Sequence, residues 1–457
     1  MAAKPTSPPP AYFLSLSLEN VRSFGAKQTI SFAREDGRPA QWTIILGDNG
    51  VGKTTVLRSI THFMARKETV SYSNKQEIYF SINFPTNTEH ISFRQDGNNL
   101  FTISCKLASG NSIKNTNAID DSVPDPFIQL FPSVSGKQGY DIAVNLVYKE
   151  YYDFTCYGYG AGRTTGNSTL SETPETADTC ASLFDDRADL LNPEEWFLFA
   201  DYRMAKDQDP LTTQNFNLIK AALLKVMEEG EVTDLEVIAP SLPGRGSPRQ
   251  GVRFKTPYGW VRLRDMSLGY QTLVVWLTDL ADKLFVRYPD SKNPLAEPAI
   301  VLIDEIDLHL HPSWQRKLLK SLSEIFINTQ FIATAHSPLV VQAAGDVEAN
   351  VVVLRREGDQ TVVVQDLPDV RRWRVEQILN SELFDDTSPL SPQTESDLTR
   401  RNELLLKKRL TKAEKAELAE LEEAVATQPT GTSRPERQAE DLLARLARNL
   451  GPKGILQ

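Results

Sequence analysis

Gly47-Asp-Asn-Gly-Val-Gly-Lys-Thr54 is the stretch that decides how this chain folds. Apolar Ile44, Ile45 and Leu46 lead into it, and the helix-like run Thr55–Phe63 follows. Strand, Gly-rich turn and helix in that order form the context a phosphate-binding loop requires. Glycines at 47, 50 and 52 let backbone N–H groups converge on phosphate oxygens with no Cβ in the way. The helix N-terminus adds partial positive charge. Asn49, Gly50, Val51, Gly52, Lys53, Thr54 and Thr55 are therefore the candidate phosphate contacts. Lys53 can reach the outer phosphates and the Thr54 hydroxyl can ligate Mg²⁺. The expected ligand is ATP with Mg²⁺.

Working outward, the chain has 457 residues, enough for a large core and more than one sub-domain. Hydrophobic residues make up 40% and charged residues 24%, an ordinary globular balance. No apolar run approaches the roughly 20 residues of a membrane span, so no membrane partner is expected. Met1–Ala11 is Pro-rich and lacks the apolar segment of a secretory signal, and reads as a disordered lead-in. Cys105, Cys156 and Cys180 fit neither a zinc site nor a disulfide framework. They read as buried thiols in a cytoplasmic protein. A net charge of −10 argues against a protein that coats DNA directly.

Hydropathy patterning predicts strands at Phe13–Leu18, Thr29–Phe32 and Trp42–Leu46, then a helix over Thr54–Ala65. Ile78–Ile82, Ile91–Phe93 and Phe101–Lys106 alternate and predict an antiparallel sheet. Ser109–Pro126, Gly160–Ala177 and Pro240–Arg249 are turn-rich. Leu218–Glu229 and Leu268–Phe285 predict helices. Ala299–Ile303 is fully apolar, the pattern of a buried parallel sheet, and Gln330–Ala335 repeats that pattern.

The apolar run Ala299–Ile303 ends in Asp304 and Glu305. Two carboxylates at a strand's C-terminal end lie where open α/β sheets hold ligands. Asp304 can join Thr54 in the Mg²⁺ shell, and Glu305 can polarise an attacking water. Met266-Ser-Leu-Gly-Tyr-Gln271 places Ser267 and Gly269 just before a long helix, exposing free N–H groups. Ala333-Thr-Ala-His336-Ser-Pro338 puts a histidine at a strand end.

The order of these pieces resembles the ABC-type ATPase heads of the SMC, RecF and OLD group. The resemblance rests on Asn20-Val-Arg-Ser-Phe24, the phosphate loop, Ser267-Leu-Gly269, Asp304-Glu-Ile-Asp-Leu-His-Leu-His-Pro312 and Ala335-His-Ser-Pro338. Val21 departs from the aromatic usual in the first piece, and Leu268 and Tyr270 depart from the usual Leu-Ser-Gly-Gly signature, which implies slow turnover. Tyr159-Gly-Ala-Gly-Arg163 and Asn192-Pro-Glu-Glu-Trp196 are similar to stretches in the stand-alone ATPases of bacterial antiphage operons, such as those of the Septu and PARIS systems.

The resemblance implies nucleotide held between two subunits. Ser267 and Gly269 would contact the γ-phosphate in trans, His336 would sense it in cis, Asp307 and His311 would lie at the seam, and Arg22 would touch the nucleotide. Lys53, Glu305 and His336 would be the catalytic groups, and Thr54 and Asp304 the metal ligands. For the glutamine that such heads place in the site, Gln76 and Gln95 are both open.

After Leu354 no nuclease constellation follows, so a separate effector, a nuclease, is expected as partner beside a second copy of the chain. The rival reading is a RecF-like repair ATPase that clamps DNA directly; the His-Leu-His-Pro block disfavours a transporter. Arg371-Arg-Trp-Arg374 reads as a solvated face rather than a nucleic-acid patch. Arg401–Val425, with Leu404, Leu405, Leu410, Leu418 and Leu421 as an apolar stripe, reads as an antiparallel helical pair that dimerises or docks a partner rather than as a solvated appendage. Thr427–Pro435 and Glu436–Leu450 read as a linker and a last helix. The expected architecture is an α/β ATPase head over 12–365, with 109–255 as an inserted lobe and 366–457 as a helical C-terminal module.

Overall fold

The computed structural model describes residues 10–61, 63, 101–109, 113–114, 156–163, 179–238 and 251–426 apart from 366, 368, 371, 386 and 408, with the backbone of short strands between 65 and 145. Two compact units divide between Ile378 and Leu379. In the first, strand β1 (Ala11–Glu19) alternates, burying Phe13, Leu16 and Leu18. It pairs antiparallel with β2 (Gln28–Ser31). β3 (Trp42–Gly47) is buried on both faces and runs into the phosphate loop and α1 (Lys53–Thr61). β4 (Ala65–Tyr72) and β5 (Lys75–Ile82) form a hairpin. β6 (Phe101–Ser109) returns beside β1. With β7 (Asn117–Ala118), β8 (Phe127–Pro132) and β9 (Tyr140–Asn145) it completes an antiparallel sheet of order β2-β1-β6-β8-β9, with β7 on β6.

The chain then enters the second sheet. β10 (Cys156–Tyr159) is followed by α2 (Pro193–Asp207), α3 (Pro210–Val226) and a meander of β11 (Asp234–Ile238), β12 (Gly251–Thr256) and β13 (Gly259–Arg262). The long α4 (Leu268–Arg287) precedes β14 (Ala299–Ile303), α5 (Pro312–Gln315), α6 (Leu318–Ile325), β15 (Thr329–Thr334), α7 (Pro338–Asp346), β16 (Asn350–Glu357) and β17 (Gln360–Val364). The sheet order is β10-β14-β15-β3-β16-β17, parallel except at β17. β3, β14 and β15 therefore end at one edge, which carries the phosphate loop, the acids and His336 together.

Helix α1 is packed between the two sheets. Val56, Leu57 and Ile60 meet Phe13 and Leu16 of β1 and Ile45 and Ile332 of the parallel sheet. Each such side chain contributes roughly 1.5–3 kcal/mol on burial. Buried Gln330 joins the sheets directly: its Nε2 donates to Phe13 O at 2.8 Å and its Oε1 accepts from Phe13 N at 2.8 Å. The β1–β6 register slips between Phe13 and Ser15, beside this bond. The three cysteines are buried and form no disulfide with one another. Among the described residues no helix is long and apolar enough to cross a membrane.

Several expectations change. Ala11, read as the end of the lead-in, opens β1. The helix expected to run to Ala65 stops at Thr61. The range 109–255, expected as an inserted lobe, supplies β10, an edge strand of the parallel sheet itself. The helix expected from Leu218 begins at Pro210, where Asp209 accepts from Leu211 N; Asp-Pro is a cap-and-first-turn signal.

The short α8 (Val375–Leu379) spans the division, and the second unit contains α9 (Pro392–Leu406) and α10 (Lys412–Ala426). Arg400 grips both oxygens of Glu417 (2.7 and 3.2 Å), and Lys407 meets Glu414 at 2.6 Å, so the pair runs antiparallel as expected. The leucine stripe is not one face: Leu404 is fully buried while Leu405 is 49% exposed. Ile91–Phe93, Gln95, residues 164–177, Pro240–Arg249, Arg371, Thr427–Pro435 and Glu436–Leu450, for which the sequence raises expectations, lie outside the described residues.

Candidate nucleotide-binding and hydrolysis site

The phosphate loop is braced from behind. Val51 O accepts from Ser23 Oγ at 3.2 Å and from Thr361 Oγ1 at 2.8 Å. Gly52 has φ +99°, and a Cβ there would meet Ser23 Oγ at 2.6 Å and the Phe24 ring at 2.9 Å. Packing therefore demands this glycine as firmly as ligand geometry does. Asn20 and Arg22, at φ 55° and 50°, build the tight turn that leads to Ser23. Lys53 Nζ folds back onto the loop, donating to Gly47 O at 2.7 Å and Asp48 O at 2.8 Å. Burial pushes its pKa down against the upward pull of Asp304, Glu305, Asp48 and Asp307.

Across the cleft, Thr54 Oγ1 donates to Asp304 Oδ2 at 2.7 Å, and Thr334 Oγ1 donates to Asp304 Oδ1 at 2.6 Å. Thr334 Oγ1 also accepts from Glu305 N at 2.7 Å, so one hydroxyl orients both acids. Glu305 sits at φ 50°. The His336 backbone N–H donates to Asp307 Oδ2 at 3.1 Å. Gln315 binds this turn to the histidine's: its Nε2 donates to Asp307 O and Leu310 O, and its Oε1 accepts from Ser337 Oγ at 2.6 Å.

Arg22, Asn49, Gly50, Gly52, Lys53, Thr54, Thr55, Asp304, Glu305 and His336 together line one cavity of about 490 Å³. Thr54 and Asp304 present only oxygen donors, suiting a hard cation such as Mg²⁺. Val51, also expected at the ligand through the loop backbone, buries its side chain in the core.

Two family models match: "AAA domain" over residues 15–145, and "AAA domain, putative AbiEii toxin, Type IV TA system" over residues 178–342. The first holds the phosphate loop, the second the signature stretch, the acids and His336. By these matches the chain is similar to AAA-type ATPase domains. The Septu protein PtuA of Bacillus mycoides is 28% identical over 79% of the chain and 43% of that protein. The Retron Ec83 probable ATPase of Escherichia coli is 27% identical over 65% of the chain and 64% of that protein. The chain thus spans less than two thirds of either. The Septu protein PtuA of Bacillus thuringiensis is 25% identical over 76% of the chain and 80% of that protein.

Ser267 and Gly269 stand apart from this cavity. Ser267 is exposed and its hydroxyl makes no capping bond to α4. Gly269 is buried against the turn at His309, where a Cβ would meet His309 O at 2.4 Å. His311 caps α5 by accepting from Ser313 N. Gln76 stands opposite Ser71 in the β4–β5 hairpin.

Three groups were missed from sequence. Thr334 is a lone hydroxyl between alanines of an apolar strand. Arg58 lies four residues after Thr54, on the same helix face; it lines the cavity, with Nε donating to Leu183 O at 2.7 Å and its guanidinium 5.5 Å over Phe184. Burial pushes its pKa down, as does the charge of Arg22. Arg163 is buried, its pKa pushed down to about 10 by desolvation against the pull of Asp304, Glu305 and Asp307. Arginine in a sequence reads as a surface cation, so only burial reveals it.

Proposed function

We propose that the chain binds and hydrolyses ATP at a site shared between two copies, and serves as the ATPase of a bacterial antiphage defence assembly that holds and controls a separate nuclease effector. The observation that carries the chemical part is the 2.7 Å contact of Thr54 Oγ1 with Asp304 Oδ2 beside Lys53. A phosphate-loop hydroxyl and a strand-end carboxylate meet where a triphosphate's outer end would lie. Thr54 and Asp304 would hold Mg²⁺, which neutralises charge on the phosphate oxygens. Lys53 would exchange the Gly47 and Asp48 carbonyls for phosphate. Glu305, oriented through Thr334, would polarise the attacking water, and His336 would face the γ-phosphate. Asn49, Gly50, Val51, Gly52 and Thr55 would supply backbone and hydroxyl donors, and Arg22 a second cation. Ser267 and Gly269 would act on the partner copy's nucleotide.

The defence role is supported by the similarity to proteins named for Septu and retron systems. The test of the chemistry is Glu305→Gln, which should keep ATP binding and slow hydrolysis by about 10²–10⁴-fold. Turnover at the parent rate would sink it. The test of the assembly is purification with the products of neighbouring genes. Absence of a co-purifying nuclease, with hydrolysis stimulated by DNA alone, would favour a clamp that binds DNA directly.

A further inference from the structure

Tyr159-Gly-Ala-Gly-Arg163 touches the catalytic turn at both of its ends. Tyr159 closes β10, and its carbonyl accepts from Asp304 N at 2.8 Å. Its buried hydroxyl donates to Asp279 Oδ2 of α4 at 2.8 Å, where Lys283 also pairs at 2.7 Å. Four residues on, Arg163 Nη2 donates to Asp304 O at 2.8 Å and to Glu305 O at 2.6 Å. Those carbonyls belong to the peptide groups on either side of Glu305, which is held at φ 50°. Residues with a Cβ disfavour that conformation, so an outside contact must over-determine it.

The segment has a firm backing. A Cβ on Gly160 would meet Ser182 O at 2.1 Å, which only glycine avoids. Ser182 Oγ donates to Gly158 O at 2.8 Å, and Arg58 of α1 donates to the adjacent Leu183 O. Phosphate-loop helix, backing segment, Arg163 and catalytic turn thus form one continuous hydrogen-bonded path.

We infer that Arg163 is a positioning residue for hydrolysis: it clamps the carbonyls flanking Glu305, so that the carboxylate points into the cleft. The inference rests on the reading of Glu305 as the group that polarises water. Arg163 lines no part of the cavity and reaches the turn only through its main chain, so it acts through Glu305 and not on nucleotide.

The experiment compares Arg163→Gln, Arg163→Lys, Glu305→Gln and the double variant Arg163→Gln/Glu305→Gln in full-length chain. ATP affinity, thermal midpoint and single-turnover hydrolysis are measured for each. Misplacing a reacting group by about 1 Å costs about 10²-fold in rate. Arg163→Gln should therefore hydrolyse about 10²-fold slower with ATP affinity unchanged. Arg163→Lys, which keeps a donor, should recover part of the rate. The double variant should be no slower than Glu305→Gln alone, because a group acting only through another adds nothing once that other is gone.

Parent-rate hydrolysis by Arg163→Gln, with Glu305→Gln slow, would overturn the inference and leave the reading of Glu305 standing. So would multiplied losses in the double variant. Parent-rate hydrolysis by Glu305→Gln would overturn both. If Arg163→Gln does not fold, Arg163→Lys alone and combined with Glu305→Gln decides by the same comparison.

Discussion

Two helices in this chain begin at nucleotide motifs, and they are finished differently. At α1, Lys53 is bonded to two loop carbonyls and Thr54 to Asp304. Arg22, Glu305 and His336 surround the same cavity. At α4, Ser267 is exposed and makes no side-chain cap bond, and Leu268 is 52% exposed. The side chains at the α1 start meet partners within the chain, whereas Ser267 and Leu268 at the α4 start face outward. The difference teaches that half of the proposed site is assembled within the chain, while its signature half stands apart from that cavity.

The sharpest way to break this comparison is to remove the cis cation. Lys53→Ala should abolish ATP binding or hydrolysis, because no other group in the loop carries positive charge to the outer phosphates. Normal turnover would remove the basis for calling the α1 end the nucleotide end.

Next in size is the trans half. Ser267→Arg should also be inactive alone while still binding ATP. Mixed with Lys53→Ala, random pairing would place one intact site in half of the pairs, restoring roughly a quarter of the parent activity. No recovery in chains shown to mix would count against a shared site.

A smaller effect is expected from Gly269→Ala. The added methyl would meet His309 O at 2.4 Å, so the turn at His309 or α4 must shift. Turnover should fall while ATP affinity of the isolated chain holds. Loss of affinity instead would mean that the two helix starts are less separate than they look.

The smallest effect belongs to the C-terminal helix pair. Lys407, followed by the Thr411 backbone and hydroxyl, holds Glu414 at about 2, down from an ordinary 4.5. A depressed carboxylate stabilises above its unfolded value, and that contribution is lost as pH falls through the folded value. Amides of α9 and α10 should therefore lose protection as pH drops from 4.5 toward 2, beyond the intrinsic change in exchange rate. The pair is exposed, so salt should weaken the effect. ATP turnover by a chain lacking 401–457 should persist; its collapse would make this unit part of the catalytic head.

Much of this was legible in the linear sequence because the physics is local. The phosphate loop declares itself by glycines and a Lys-Thr pair within eight residues, and Ala299–Ile303 by an unbroken apolar run ending in acids. Backbone freedom and burial periodicity act over a few residues, so those motifs needed no fold to be found, and the α/β class followed. Tertiary structure alone decided which strands flank them. β10 joins the parallel sheet from inside a range that reads as an insertion, since a four-residue strand carries too little pattern to assign a neighbour. Arg163 reaches Asp304 across 141 positions, and Thr54 meets Asp304 across 250. Thr54 was expected there because each partner lies in its own motif. Arg163 was not, because a guanidinium's role depends on what surrounds it, and only folding removes the water that would otherwise be its partner.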